Sequence, residues 1–67
     1  MIIYIGKQTR IDKGLSVREL AKKAGISSGS ISKWENGIHL PDLETLGMVA
    51  VALGVKPWQL VLFDGMK

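Results

Sequence analysis

The chain has 67 residues, 46% hydrophobic and 22% charged, with nine Lys and Arg against six Asp and Glu. A chain this short buries only roughly 60% of its unfolded surface, which fits one small domain over residues 1–67 and excludes a two-domain enzyme. Without cysteine, neither a disulfide nor a thiolate metal site supplements the core.

The longest apolar runs, such as Val49-Ala50-Val51-Ala52-Leu53, fall far short of the roughly 20 residues that span a bilayer. The start, Met1-Ile2-Ile3-Tyr4-Ile5, has no basic cluster or small-residue cleavage pattern, so a cytoplasmic location is expected and no membrane partner. The net charge of +3 is unevenly divided. Residues 1–34 carry seven Lys and Arg against Asp12 and Glu19, a balance of +5, while residues 35–67 carry two against four, a balance of −2. Such polarity can present a positive side to a polyanion, although a solvated lysine-dotted face explains the charge equally simply.

Apolar spacing predicts about five short helices and no alternating strand pattern, hence an all-α fold. The first runs from Ile2 to about Asp12 and is closed by Gly14. Gly6 inside it weakens it, and β-branched Ile2, Ile3 and Ile5 leave a strand-like start open. The second is marked by Ser16 and Glu19, a capping box, with Val17, Leu20, Ala21 and Ala24 on one face and Arg18, Lys22 and Lys23 on the other. Gly25 ends it, and Ile26 folds back onto its last turn.

Ser27-Ser28-Gly29-Ser30 has the composition of a loop, yet Ile31 and Trp34 carry the spacing of a buried helix face and Ser27 can cap it. A third helix over about Ser28 to Glu35 is expected, stopped by Asn36-Gly37. Ile38-His39-Leu40 then reads as a loop. Pro41 and Asp42 open a largely apolar fourth helix through Leu43, Leu46, Val49, Ala50 and Leu53 to Gly54. Pro57 starts a last helix from Trp58 to about Leu62, and Phe63 to Lys67 reads as a tail.

The unit over about residues 17–36 is two helices joined by a tight corner, with small Ala21 at the crossing, Gly25 in the turn and Leu20, Ile26, Ile31 and Trp34 sealing the angle. That geometry frees the outer face of the second helix of the pair, Ser28, Gly29, Ser32 and Lys33, for a major groove wide enough to admit a helix.

These residues resemble the Cro/phage-repressor type (xenobiotic-response-element type) helix-turn-helix domains of bacterial and phage regulators. The resemblance rests on Gly14-Leu15-Ser16, Glu19-Leu20-Ala21, Ala24-Gly25-Ile26-Ser27, Ile31-Ser32-Lys33-Trp34-Glu35-Asn36-Gly37, Pro41, Leu43-Glu44-Thr45-Leu46 and Ala52-Leu53-Gly54-Val55. It implies a five-helix bundle of the lambda-repressor-like kind, sequence-specific binding of double-stranded DNA through the third helix, commonly a two-fold dimer, and an Arg10–Glu35 ion pair. Two positions depart from the family pattern. Val17 stands where glutamine is usual and cannot hydrogen-bond a phosphate. Gly6 replaces an aliphatic core residue, which predicts a first helix that shifts or frays.

The resemblance places Ser28, Gly29, Ser32 and Lys33 in the groove and Arg18, Ser27 and Asn36 near phosphates. Of these only Lys33 can make a charged contact to guanine, so modest direct readout supplemented by groove shape is expected. Ser27 and Ser30 are explained equally well as caps, and Trp34 reads as core. His39 lacks the companions of a metal site, Asp42 and Glu44 suit a helix start, and no nucleophile, base and orienting group can be assembled, so no catalytic role, metal or cofactor is expected.

Residues 42–63 hold more apolar material than a bundle this size hides, which suggests a homodimer through the apolar C-terminal half, or a regulatory protein partner. The expected function is a repressor of a bacterial, phage or mobile-element operon. The alternative is an antitoxin-like or adaptor module that grips a protein and binds DNA weakly.

Overall fold

The computed structural model describes residues 1–65. A short strand β1 (Ile2–Tyr4) precedes four α-helices: α1 (Gly6–Asp12), α2 (Val17–Ala24), α3 (Ser28–Glu35) and α4 (Leu43–Leu53). A 3-10 helix (Pro57–Leu60) and strand β2 (Val61–Phe63) complete the chain. No helix among these residues is long and apolar enough to cross a membrane.

Local chemistry sets the helix ends. Ser16 Oγ accepts from Glu19 N–H at 3.0 Å while Glu19 Oε1 accepts from Ser16 N–H at 2.8 Å, closing the capping box of α2. Ser27 Oγ caps α3 by accepting from Gly29 N–H at 3.1 Å, and Asp42 Oδ1 caps α4 by accepting from Thr45 N–H at 2.8 Å. Those bonds hold the Glu19 and Asp42 carboxyls below the usual carboxylate range, so both caps weaken as pH falls. Gly25, at φ 76°, supplies the left-handed residue that turns α2 into the corner before α3.

The core is formed by Leu20, Ala21 and Ala24 of α2, Ile31 and Trp34 of α3, Leu46, Val49, Ala50, Ala52 and Leu53 of α4, with Leu60 and Tyr4 closing it. Val17, at the position where the family usually has glutamine, is half-buried against this core. Leu43, the first residue of the apolar fourth helix, is 88% exposed.

The ends of the chain depart from the five-helix expectation. The all-α reading is corrected: β1 and β2 form a two-stranded antiparallel sheet in register Ile2↔Phe63, Ile3↔Leu62, Tyr4↔Val61. The first helix therefore starts at Gly6, and the strand-like start that the isoleucines left open is the one adopted. The expected last helix is a single 3-10 turn, after which Val61, Leu62 and Phe63 extend to pair with β1. Phe63 belongs to the sheet rather than to a tail; of the tail residues, Met66 and Lys67 lie outside the described residues. Strands of three residues are too short to show alternation, and their pairing joins opposite ends of the sequence. Ile5 N–H donates to Leu60 O at 2.8 Å, and Asp64 N–H to Met1 O at 2.7 Å, extending the zipper.

Gly6 does not leave a hole. It is buried at the start of α1, and a Cβ there would collide with the phenol oxygen and Cζ of Tyr4. The Tyr4 ring, delivered by β1, fills the space an aliphatic side chain would otherwise take, and it packs on Trp34 with ring centroids 5.7 Å apart. Gly6→Ala is therefore expected to destabilise by about 1–3 kcal/mol through overpacking. Tyr4→Phe, which removes a buried hydroxyl that has no hydrogen-bond partner among the described residues, should relieve part of that cost in the double variant. Urea unfolding of the three variants checks both expectations.

Candidate nucleic-acid interface

The interface is built from α2 and α3, which pack at the corner formed by Gly25 and Ile26. Ile31 and Trp34 turn inward, 0% and 6% exposed, and so fix the orientation of α3 about its axis. At about 100° per residue, Ser28, Gly29, Ser32 and Lys33 then lie within roughly 140° of arc on the opposite side. Gly29, Ser32 and Lys33 are exposed and Ser28 is half-buried. Arg18, Lys22 and Lys23 are exposed on α2, so the basic side anticipated from composition is a real surface feature of the helix pair.

Ser27 is exposed at the start of α3, its hydroxyl used as the cap. Asn36, at the other end, donates from Nδ2 to Ser32 O at 2.8 Å and to Ser32 Oγ at 3.4 Å. Its amide is thus engaged within the helix terminus. That bracing is a role the motif reading missed; an Asn four residues after a Ser at a helix end is the signal that could have found it.

Behind this face lies the ion pair. Arg10 donates from Nε to Glu35 Oε2 at 2.8 Å and from NH2 to Glu35 Oε1 at 3.0 Å, a bidentate fork. A third donor, NH1, reaches Leu15 O at 2.7 Å. One guanidinium therefore ties α1, the loop before α2 and the end of α3 together. Hydrogen bonding to Glu35 raises the Arg10 pKa still further above its ordinary value. The neighbouring Tyr4 phenol is pushed up to about 12, first by burial and then by the Glu35 charge.

His39 is exposed in the loop after α3, and no group of acidic, His or Cys side chains among the described residues could hold a metal ion. Asp42 is spent as a helix cap.

A family model for helix-turn-helix domains matches residues 7–57. The chain belongs to the Cro/phage-repressor helix-turn-helix family. It is a DNA-binding regulator of that family and not an enzyme. Among solved structures, the biofilm master regulator SinR in complex with DNA is 36% identical, with a TM-score of 0.77 over 81% of this chain and 87% of that one. A Bacteroides fragilis protein described as DNA-binding is 34% identical, with a TM-score of 0.84 over 92% of this chain and all of that one. SinR in complex with SinI is also similar, at 36% identity and a TM-score of 0.76 over 81% of this chain and 53% of that one. No curated protein sequence matches. The family's helix pair is thus present intact, while the sheet that clasps the chain ends takes the place of the expected fifth helix.

Removing Arg10 leaves the Glu35 carboxylate at the end of α3 without its partner. Arg10→Ala should cost about 3 kcal/mol, the lower end for a buried pair because the two side chains keep 11% and 6% exposure. Arg10→Lys should recover only part of this, since an ammonium cannot make the fork. The raised Tyr4 pKa gives a separate signature. The neutral phenol is favoured in the folded state, so the Tyr4 contribution to stability is constant below pH 10 and is lost between pH 10 and about 12. Tyr4→Phe should flatten that decline in denaturant titrations.

Proposed function

We propose that the protein is a sequence-specific regulator that inserts α3 into the major groove and represses a prokaryotic, phage or mobile-element operon from the cytoplasm. The observation that carries this reading is the outward face of α3. It is exposed, fixed in orientation by Ile31 and Trp34, and flanked by the basic side of α2. Lys33 is the residue assigned to a base edge, a guanine being the natural acceptor, with Ser28, Gly29 and Ser32 lining the groove. Arg18 and the start of α3 at Ser27 are assigned to phosphates, where the positive end of the helix dipole also favours an anion. The crystal structure of SinR with DNA supports the same use of the helix pair here.

Binding to random duplexes is expected to weaken steeply between about 50 and 200 mM salt, as counterion release requires. Arg18→Ala should lower the salt slope by about one and weaken all sequences alike, whereas Lys33→Ala should cost about 1–3 kcal/mol on the selected site only. Equal loss on selected and scrambled duplexes would reassign Lys33 to the phosphates.

The protein is further proposed to act as a homodimer through its apolar C-terminal half. Trp58, Leu62 and Phe63 are 70%, 50% and 59% exposed, and exposed Ile2 pairs with Phe63 from β1. Two-fold pairing would set the recognition helices about 34 Å apart, one turn of DNA. A regulatory protein could compete for the same patch, as the SinR–SinI complex suggests, and this is the form in which the adaptor reading survives. Sedimentation equilibrium should give a dimer that Phe63→Glu dissociates without unfolding; a wild-type monomer that still binds DNA would refute the dimer.

A further inference from the structure

We propose that the outer face of α4 is a self-association surface, on which α4 of a second copy packs antiparallel about a two-fold axis through Gly47. This contact is separate from the face of Trp58, Leu62 and Phe63, and it does not depend on the DNA-binding reading.

α4 is apolar nearly all round, with Glu44 and Thr45 as its polar side chains, and a helix of that kind is ordinarily covered on both sides. Its inner side, Leu46, Val49, Ala50 and Leu53, is core. On the outer side Leu43, Gly47 and Val51 follow one another at four-residue spacing and so form one stripe, in which Leu43 and Val51 are 88% and 82% exposed. Gly47 makes that stripe concave at its middle. Nothing inside the domain requires a glycine there, since its φ is not positive and a Cβ would meet no atom within 4 Å. Glycine weakens a helix interior relative to alanine, and what it offers in exchange is the close approach of another group.

Beside the stripe, α2 and α4 border a shallow groove of about 630 Å³, with buried Ala24 and Ala52 at its base. Its charges identify the occupant. Glu44 stands at the N-terminal end of α4, whereas Lys23, which also lies beside Leu53 and Gly54, stands toward the C-terminal end. Both are exposed, and neither has an ion-pair partner among the described residues. A two-fold rotation about Gly47 reverses the helix direction. It lays Leu43 on Val51 of the second copy, sets the two glycines against each other and brings each Lys23 toward Glu44 of the other copy. Stripe and charges are thus complementary to themselves, as a two-fold interface requires. An 11-residue helix is only about 16 Å long, too short to supply the roughly 800 Å² per partner of a standard interface. The contact is therefore weak between free molecules and gains strength where copies are already held close together.

The chain has no cysteine, so introduced single cysteines report the contact by oxidation to a disulfide, which needs Cα atoms within roughly 7 Å. Gly47→Cys should cross-link to itself, well above an exposed control, Lys7→Cys on α1. Leu43→Cys and Val51→Cys should cross-link to each other when mixed and little to themselves, because the antiparallel register separates like residues. Adding Lys23→Glu or Glu44→Lys to Gly47→Cys should slow its cross-linking roughly three- to tenfold, the worth of two exposed charge pairs turned repulsive. An equimolar mixture of those two variants should recover the parent rate as a mixed species. The same pattern should persist with Phe63→Glu added, Gly47→Ala should melt higher than wild type, and melting curves establish that each variant is folded. No cross-linking of Gly47→Cys above the control would overturn the proposal, as would like residues that link as fast as the mixed pair. A charge-reversed mixture no faster than its components would overturn it in favour of a different occupant of the groove. Loss of the pattern with Phe63→Glu would overturn it in favour of the terminal sheet alone, and a Gly47→Ala protein that melts lower would return the glycine to the fold. With no duplex in the reaction, none of these outcomes turns on DNA binding.

Discussion

The Arg10 guanidinium holds α3 in place against the rest of the domain. α3 has eight residues and only Ile31 and Trp34 in the core, whereas isolated helices shorter than about 12–15 residues are marginal in water. Its last residue is Glu35, a negative charge at the negative end of the helix dipole, an arrangement unfavourable by itself. The bidentate bond from Arg10 reverses that cost and anchors the helix end to α1, while the third donor on Leu15 O brings in the loop leading to α2. A lysine could supply the charge but not three directed donors.

The clasp at the chain ends supports this linkage from the other side. β1 carries Tyr4 into the space beside Gly6, against Trp34 and close to the Arg10–Glu35 pair, and β2 holds β1 in place through three paired residues. The volume lost at Gly6 is thus restored from a residue two places earlier, which keeps α1 packed. The phenol oxygen has no hydrogen-bond partner among the described residues, so the fit is steric more than polar. A two-stranded ribbon is marginal alone, and here it is kept by packing Tyr4 and Leu60 into the helical core.

The division of labour between the helix pair is set by side-chain length. α2 carries Arg18, Lys22 and Lys23, long exposed cations. α3 carries serines and a glycine, which let its backbone approach a surface closely but leave few atoms to discriminate with.

The helix-turn-helix was legible because its signals are local. The Ser16–Glu19 capping box, Gly25, the Ser27 cap and the Ile31–Trp34 spacing each act within one or two turns, and all sit in the structure as their chemistry demands. The sequence by itself determined α2, the corner, α3, the basic face and, through its family motifs, the partner chosen by Arg10. The pairing of Ile2–Tyr4 with Val61–Phe63, between opposite ends of the chain, decided the rest, including the delivery of the Tyr4 ring into the space at Gly6. Three-residue strands have no periodicity to read, and a glycine's missing volume can be supplied from anywhere in the fold. Those features became visible only once the two ends of the chain were brought together.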